Sequence, residues 1–372
     1  MRNKWLRLGR QPHDLQGHWA ERVFQWGIEV HIIDGYPDGS YQPDKPVGEA
    51  EFLKMFYRSN GAVLKVYGND DWTRGSYGLA RMWNHPVNSS DYQQRFAPVT
   101  RRHAAEIIAS AHGVHYMGND AILYLLGRQL INGKTVATLE GFAGDDLLTR
   151  AEAVQWIRSM KLKGALELPM LRPKAPSDPR LIPALPNEPV EDVEDFVLNP
   201  VSIEELSLID GRKSLKYPYG SSRQVIEERF GTSEGQDFFQ SEMYKEGVSV
   251  HFNEEGRMNS WKWKWEWDQT EEPTAFVMNS GLMLGEGTLS DVLKIYGTAG
   301  FKGYSGFMSG SADYIYELVD GQLLPRPSTD EIVDFDQAYV ISFSVDSQTL
   351  KVRYVLVAPY DFAFHPENYI GD

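Results

Sequence analysis

The chain has 372 residues, no cysteine, and 37 Lys/Arg against 52 Asp/Glu, for a net charge of −15. Lack of cysteine excludes disulfides, thiolate metal sites and cysteine nucleophiles, and no apolar run reaches the length a membrane-spanning helix needs. The charge is uneven. Residues 1–168 carry 20 basic and 18 acidic groups, whereas residues 201–372 carry 14 and 28, so the C-terminal part should repel nucleic acid and anionic surfaces.

The chain opens on "MRNKWLRLGRQPHDL", basic but without the apolar core of a signal peptide, so an exported form is expected to be a mature or trimmed chain. Trp19, Val23, Trp26 and Val30 then recur at helical spacing and predict one apolar face. "GYPDGSYQPD" supplies a turn, with Pro37 presetting φ and Gly39 closing it. A second helix follows, with Phe52, Met55 and Phe56 on its apolar side. The same order recurs in "DDWTRGSYGLARMWNHPV" with "VTRRHAAEIIASAHG", and in "NDAILYLLGRQLING" with "LTRAEAVQWIRSMKLKG". Thr100 and Thr149 stand where an N-cap would open the second helix. Three helix–loop–helix units of about 10–66, 67–116 and 117–168 predict a pseudo-threefold α bundle over residues 1–168.

Residues 169–200 are rich in proline and acid and read as a semi-rigid spacer. After it the apolar period changes from helical to two. "GVSVHFNEEGRMNSWKWKWEW" and "AYVISFSVDSQTLKVRYVLVAP" each predict a hairpin, and each is preceded by a short helix ending in glycine, at Gly231 and Gly297. Ile226 and Phe230 of the first helix match Val292 and Tyr296 of the second. Residues 201–372 are therefore expected to form an α+β domain whose antiparallel sheet has two similar halves, making the protein multidomain. Within it Trp261, Trp263, Trp265 and Trp267 alternate with Lys262, Lys264 and Glu266, so one strand face is all indole. Covered by helices, that row is core. Uncovered, it is a platform for a protein or glycan partner.

The three helical units resemble the S-layer homology (SLH) family. The first carries Asp14, "GHWA" (Gly17–Ala20) and "IIDGYPDGSYQP" (Ile32–Pro43); the third carries "TRAE" as Thr149–Glu152; the second keeps Thr100 and Arg101. The resemblance implies a three-pronged helical module that binds a secondary cell-wall polysaccharide linked to peptidoglycan, often through a pyruvylated sugar, on the surface of Gram-positive envelopes. It also implies that Arg101 and Arg150 read the carboxylate, with Thr100 and Thr149 beside them. Asp14, Gly35 and Gly133 would line the grooves. Trp19 offers a sugar-facing edge, although its spacing favours the core. A guanidinium at a helix N-terminus suits a ketal carboxylate on chemical grounds as well. The first unit departs from the pattern. "GEAE" puts Glu49 where the arginine belongs, which predicts a silent or altered first groove. The C-terminal domain is weakly similar to β-lactamase-inhibitor-protein-like modules, which are two-half α+β folds used for protein binding.

No catalytic pattern is present, so the expectation is a binding protein that is not an enzyme and needs no cofactor or metal. "KGYSGFMSG" lacks the second glycine of a nucleophile elbow. His112 and His115 have H-x-x-H spacing without further ligands and read as a solvated helix end. The alternative to wall anchoring is a structural or assembly protein whose degenerate repeats make protein–protein contacts.

Overall fold

The computed structural model describes residues 12–62, 64, 71–88, 91–164, 170–186, 196–265, 276–305, 308–346 and 349–369. The chain divides into two compact units. One comprises residues 1–192 with 303–308, and the other 193–302 with 309–372.

The first unit is helical: α1 (Glu21–Glu29), α2 (Glu49–Ser59), α3 (Arg74–Met82), α4 (Arg101–Ala111), α5 (Asn119–Gly127), the single turn α6 (Leu139–Phe142) and α7 (Arg150–Leu162). Thr100 and Thr149 cap α4 and α7, their hydroxyls accepting from the N–H of His103 and Glu152. Phe52, Met55 and Phe56 of α2 are buried, as their spacing predicts. The approaches to α2, α4 and α7 are knitted together by backbone. Val47 N–H donates to Leu148 O, Leu148 N–H to Val99 O, and Val99 N–H to Val47 O, at 2.9, 3.0 and 3.0 Å. Three segments far apart in sequence thus close a cycle in which each donates once and accepts once.

Residues 169–200 were expected to stand off as a spacer, but 170–183 lie against the helices. An extended proline-rich strand has unsatisfied backbone groups, and so do helix C-termini. Met170 N–H donates to Ala111 O at the end of α4, and Arg172 N–H to Trp83 O just past α3. Ser177 N–H donates to His115 O, and Tyr116 Oη to Asp178 O. His85 clamps this strap: its Nε2 donates to Met170 O at 3.1 Å while its Nδ1 accepts from Tyr57 Oη at 2.8 Å. His112 and His115 are not a solvated end. His112 Nδ1 donates to Ile108 O, and His115 lies against Ser177 and Lys174 of the strap.

These histidines predict acid sensitivity. Burial pushes the pKa of His85 and of His112 down to about 4. Between that value and the ordinary pKa of about 6.5 the unfolded chain binds protons that the folded chain refuses, so stability falls as pH drops through this window. For the deeply buried His85 the loss is on the order of 3 kcal/mol. The melting temperature of the helical unit, followed by calorimetry from pH 7 to pH 4, should decline steadily. A flat profile would contradict the neutral, buried clamp.

Among its described residues the chain also forms a 10-stranded and a 3-stranded antiparallel sheet. Its strands are β1 (Val201–Ser202), β2 (Leu208–Asp210), β3 (Leu215–Tyr217), β4 (Gly235–Gln236), β5 (Glu242–Met243), β6 (Val248–Phe252), β7 (Met258–Lys264), β8 (Phe276–Val277), β9 (Phe301–Ser305), β10 (Met308–Val319), β11 (Gln322–Pro325), β12 (Ala338–Val345) and β13 (Val352–Pro359). The large sheet runs β1-β11-β10-β12-β13-β7-β6-β5-β4, with β9 beside β10, and the small one β3-β2-β8. Helix α8 (Arg223–Phe230) precedes the β6–β7 pair, and α9 (Leu289–Tyr296) lies before the strands that end in β12–β13. Gly231 and Gly297 end these helices at φ 82° and 98°, where a side chain would be strained. A short helix, α10 (Tyr360–Phe364), follows β13.

Trp261 and Trp263, the first half of the tryptophan row, are not a partner platform. β7 lies between β13 and β6, placing Trp261 across from Val357 and Val250, and Trp263 across from Val355 and Val248. That is the same sheet face as Phe343, against which Tyr296 of α9 packs at 4.9 Å. Both indoles are fully buried, and Trp261 Nε1 donates to Leu206 O at 2.8 Å. Trp265 follows the strand, half-buried, with its N–H on Arg353 O. Trp267 lies outside the described residues. Trp261 and Trp263 form a core seam because β7 is central in the sheet rather than at an edge.

Candidate functional site

The first residues of α2, α4 and α7 are Glu49, Arg101 and Arg150, and the third are Glu51, His103 and Glu152. Each first residue meets the third residue of another of these helices. Arg101 Nη1 donates to Glu152 Oε1 at 2.7 Å, and Arg150 Nη1 to Glu51 Oε1 at 3.1 Å. His103 Nε2 donates to Glu49 Oε2 at 2.7 Å. The three pairs are arranged cyclically, and in the last the charges are exchanged.

Arg150 gathers most of the residues expected on one side. Its Nε donates to Tyr41 O and its Nη2 to Asp34 O, both at 2.9 Å, and its guanidinium lies 4.6 Å from the Tyr36 ring. Asp14 Oδ2 accepts from the N–H groups of Tyr41 and Gln42 at 2.8 and 2.7 Å. Asp14 and Arg150 therefore hold the Tyr41 residue by its N–H and its carbonyl. Gly35 sits beside them, and a Cβ there would press on the Tyr41 ring at 3.2 Å. Tyr36 Oη donates to Glu51 Oε1, and burial together with this carboxylate pushes its pKa up to about 12.

Arg101 is held in a similar way. Nε donates to Phe142 O at 2.8 Å, and the guanidinium lies 4.9 and 4.7 Å from the rings of Phe142 and Trp156. Gly133 supports the adjacent turn. A Cβ there would come within 2.1 Å of Val136 O and 2.9 Å of Gly141 O, so only glycine fits. Arg101 and Arg150 are only 2% and 3% exposed. Burial costs a charge several kcal/mol unless carbonyls and a carboxylate surround it, which is what these two have.

Glu49, which predicts a silent or altered first groove, is 1% exposed and fully engaged. Oε1 accepts from Tyr77 Oη at 2.5 Å and from Asn88 N–H at 2.9 Å; Oε2 accepts from His103 Nε2 and from Asn88 Nδ2. His103 Nδ1 donates to Glu106 at 3.2 Å. Burial works against a charge on His103, yet hydrogen bonds to Glu106 and Glu49 prevail and raise its pKa to about 9. The imidazolium thus plays the part that the arginines play in the other two pairs.

Trp19 breaks the expected helix face. It precedes α1 and is 62% exposed beside His18, while Val23 and Trp26 turn inward. Sequence reasoning missed His103, Asn88 and Tyr77. Reading "GEAE" and "TRRH" together against "TRAE" would have exposed the exchange, since the two changes are reciprocal. Among the described residues no group of three or more His, Asp or Glu side chains could hold a metal ion, and no helix is long and apolar enough to cross a membrane.

Residues 13–53, which carry Asp14, Gly35, Glu49 and Glu51, match the S-layer homology domain family. The segment that accepts Arg150 thus lies within the stretch that matches this family. A cellulosome-anchoring protein of Acetivibrio thermocellus is 34% identical over 61 residues, which are 15% of this chain and 14% of that protein. The match therefore covers about a seventh of that relative's length.

Proposed function

We propose that the protein is a non-covalent cell-wall anchor. Residues 10–168 act as three SLH units in a pseudo-threefold module that binds a secondary cell-wall polysaccharide through its pyruvylated end, and the acidic C-terminal domain is displayed at the cell surface to bind a protein or glycan. In this reading the chain is a binding protein and not an enzyme. The observation that carries it is the convergence of Asp14, Gly35 and Arg150 on the 34–42 loop of the matched segment, with a second convergence of Arg101 and Gly133 around Phe142. Three of the five N–H groups of Arg150 are committed to the protein, which fixes the guanidinium against the 34–42 loop. Exposed Trp19 suits a sugar face.

The test is co-sedimentation of the full chain with purified sacculi before and after the secondary polymer is removed. Binding should be lost on stripped walls; equal binding would sink the polysaccharide assignment. Trp19→Ala should keep the melting temperature and weaken wall binding several-fold. The deep burial of Arg101 and Arg150 favours a second reading, in which the repeats are a structural or assembly element with protein partners. Retention on stripped walls through a proteinaceous residue would support that one.

A further inference from the structure

The loop joining β11 to β12 projects apolar side chains into solvent from a fixed backbone. The Glu317 carboxylate, buried and paired with Arg326 Nε at 2.6 Å, accepts from the N–H groups of Val333 and Asp334 at 3.3 and 2.8 Å. Asp334 Oδ1 then accepts from Asp336 N–H and caps the turn that carries Phe335. Pinned in this way, Val333 is 87% exposed and Phe335 51%. Phe335 meets Tyr360 at 5.2 Å, and Tyr360 meets Phe364, itself 44% exposed, at 4.7 Å. The result is a row of three aromatic rings on the loop and α10, with exposed Val333 two residues before the first of them.

Around this row stand Asp330, Glu331, Asp334, Asp336 and Asp361, all exposed. Residues 327–350 and 354–372 contain no lysine or arginine. Among the described residues none of the five carboxylates has a cationic partner. Unpaired like charges held around an apolar row repel one another and raise the local negative potential. Both terms are relieved by the same occupant, one that brings apolar side chains for the row and cations for the rim.

We propose that Val333, Phe335, Tyr360 and Phe364 form a docking surface for a basic, amphipathic segment of another protein. Polyanions and anionic membranes are disfavoured by the rim. Aromatic residues anchor such contacts, and the rim speeds encounter and sets salt dependence.

The experiment uses the full chain and three synthetic peptides of equal length: leucine–lysine, serine–lysine and leucine–glutamate. Calorimetric titration should show the leucine–lysine peptide binding at least tenfold more tightly than either of the others. The Val333→Ser/Phe335→Ser variant, altered only at exposed positions, should weaken it about tenfold, and Asp330→Asn/Asp336→Asn should flatten its salt dependence. Equal binding by the serine variant, equal binding of the serine–lysine peptide, or no binding at all would each overturn the proposal. A melting temperature equal to that of the parent shows that the variant is folded.

Discussion

Glu49→Arg should destabilise the helical unit severely, and adding His103→Glu should recover most of the loss. The single change removes one of the two carboxylates that sustain the charge on His103 and sets a guanidinium beside that ring, and it removes the acceptor for Tyr77 Oη and both Asn88 donors. Breaking a buried ion pair from one side costs roughly 3–5 kcal/mol; here Glu106 still faces His103, and the cost falls on the new guanidinium, buried at position 49 among the Tyr77 and Asn88 donors. The double variant restores the Arg-to-Glu polarity of the Arg101–Glu152 and Arg150–Glu51 pairs. Recovery should stop short of complete, since Tyr77 and Asn88 still lack their acceptor. Chemical denaturation of the parent, the two single variants and the double variant gives the coupling energy directly. Additive losses would mean that the exchange of charges at this interface is incidental.

Trp261→Ala and Trp263→Ala should each cost the C-terminal unit about 3–5 kcal/mol, the range for emptying a large buried aromatic site. The phenylalanine variants should separate the two indoles. Trp261→Phe breaks the bond from Nε1 to Leu206 O and strands that carbonyl. Trp263 Nε1 is buried with no partner among the described residues, so Trp263→Phe removes an unsatisfied donor and should be the milder change. Urea denaturation monitored by sheet circular dichroism ranks the four variants. If Trp263→Phe cost more than Trp261→Phe, the packing of that ring, rather than its polar atom, would dominate.

Local signals carried well where one residue type has one physical use. Thr100 and Thr149 were legible as caps because a β-hydroxyl before a helix has few other roles, and Gly231 and Gly297 as helix ends because positive φ with extended ψ is a conformation essentially only glycine adopts without strain. The spacing of Phe52, Met55 and Phe56 gave their buried face. Legibility failed where the outcome depended on what lies across an interface. Nothing near position 49 announces that its carboxylate will meet a histidine 54 residues later. The strap was misread because proline content reports what a segment cannot form, not what it can lie upon. The tryptophan row was ambiguous for a related reason. Alternation identifies a strand with two unlike faces, but only the neighbours, β6 and β13, decide which face is dry. Trp19 misled in the opposite direction: it kept the helical spacing while standing just before the helix begins.

The cycle of bonds through Val47, Val99 and Leu148 constrains how this part of the chain could have been built and could be rebuilt. An open stack of repeats has two ends, so evolution can lengthen or shorten it by duplicating a module at either one. A closed cycle has no end to extend. A fourth member would have to break one bond and reform two at altered angles, and deleting a member would leave one donor and one acceptor facing each other across a gap. The number of members is thus set by geometry, whereas the order in which loops connect them is not. The exchanged charges at Glu49 and His103 have the form of a change in one member matched by a change in its neighbour.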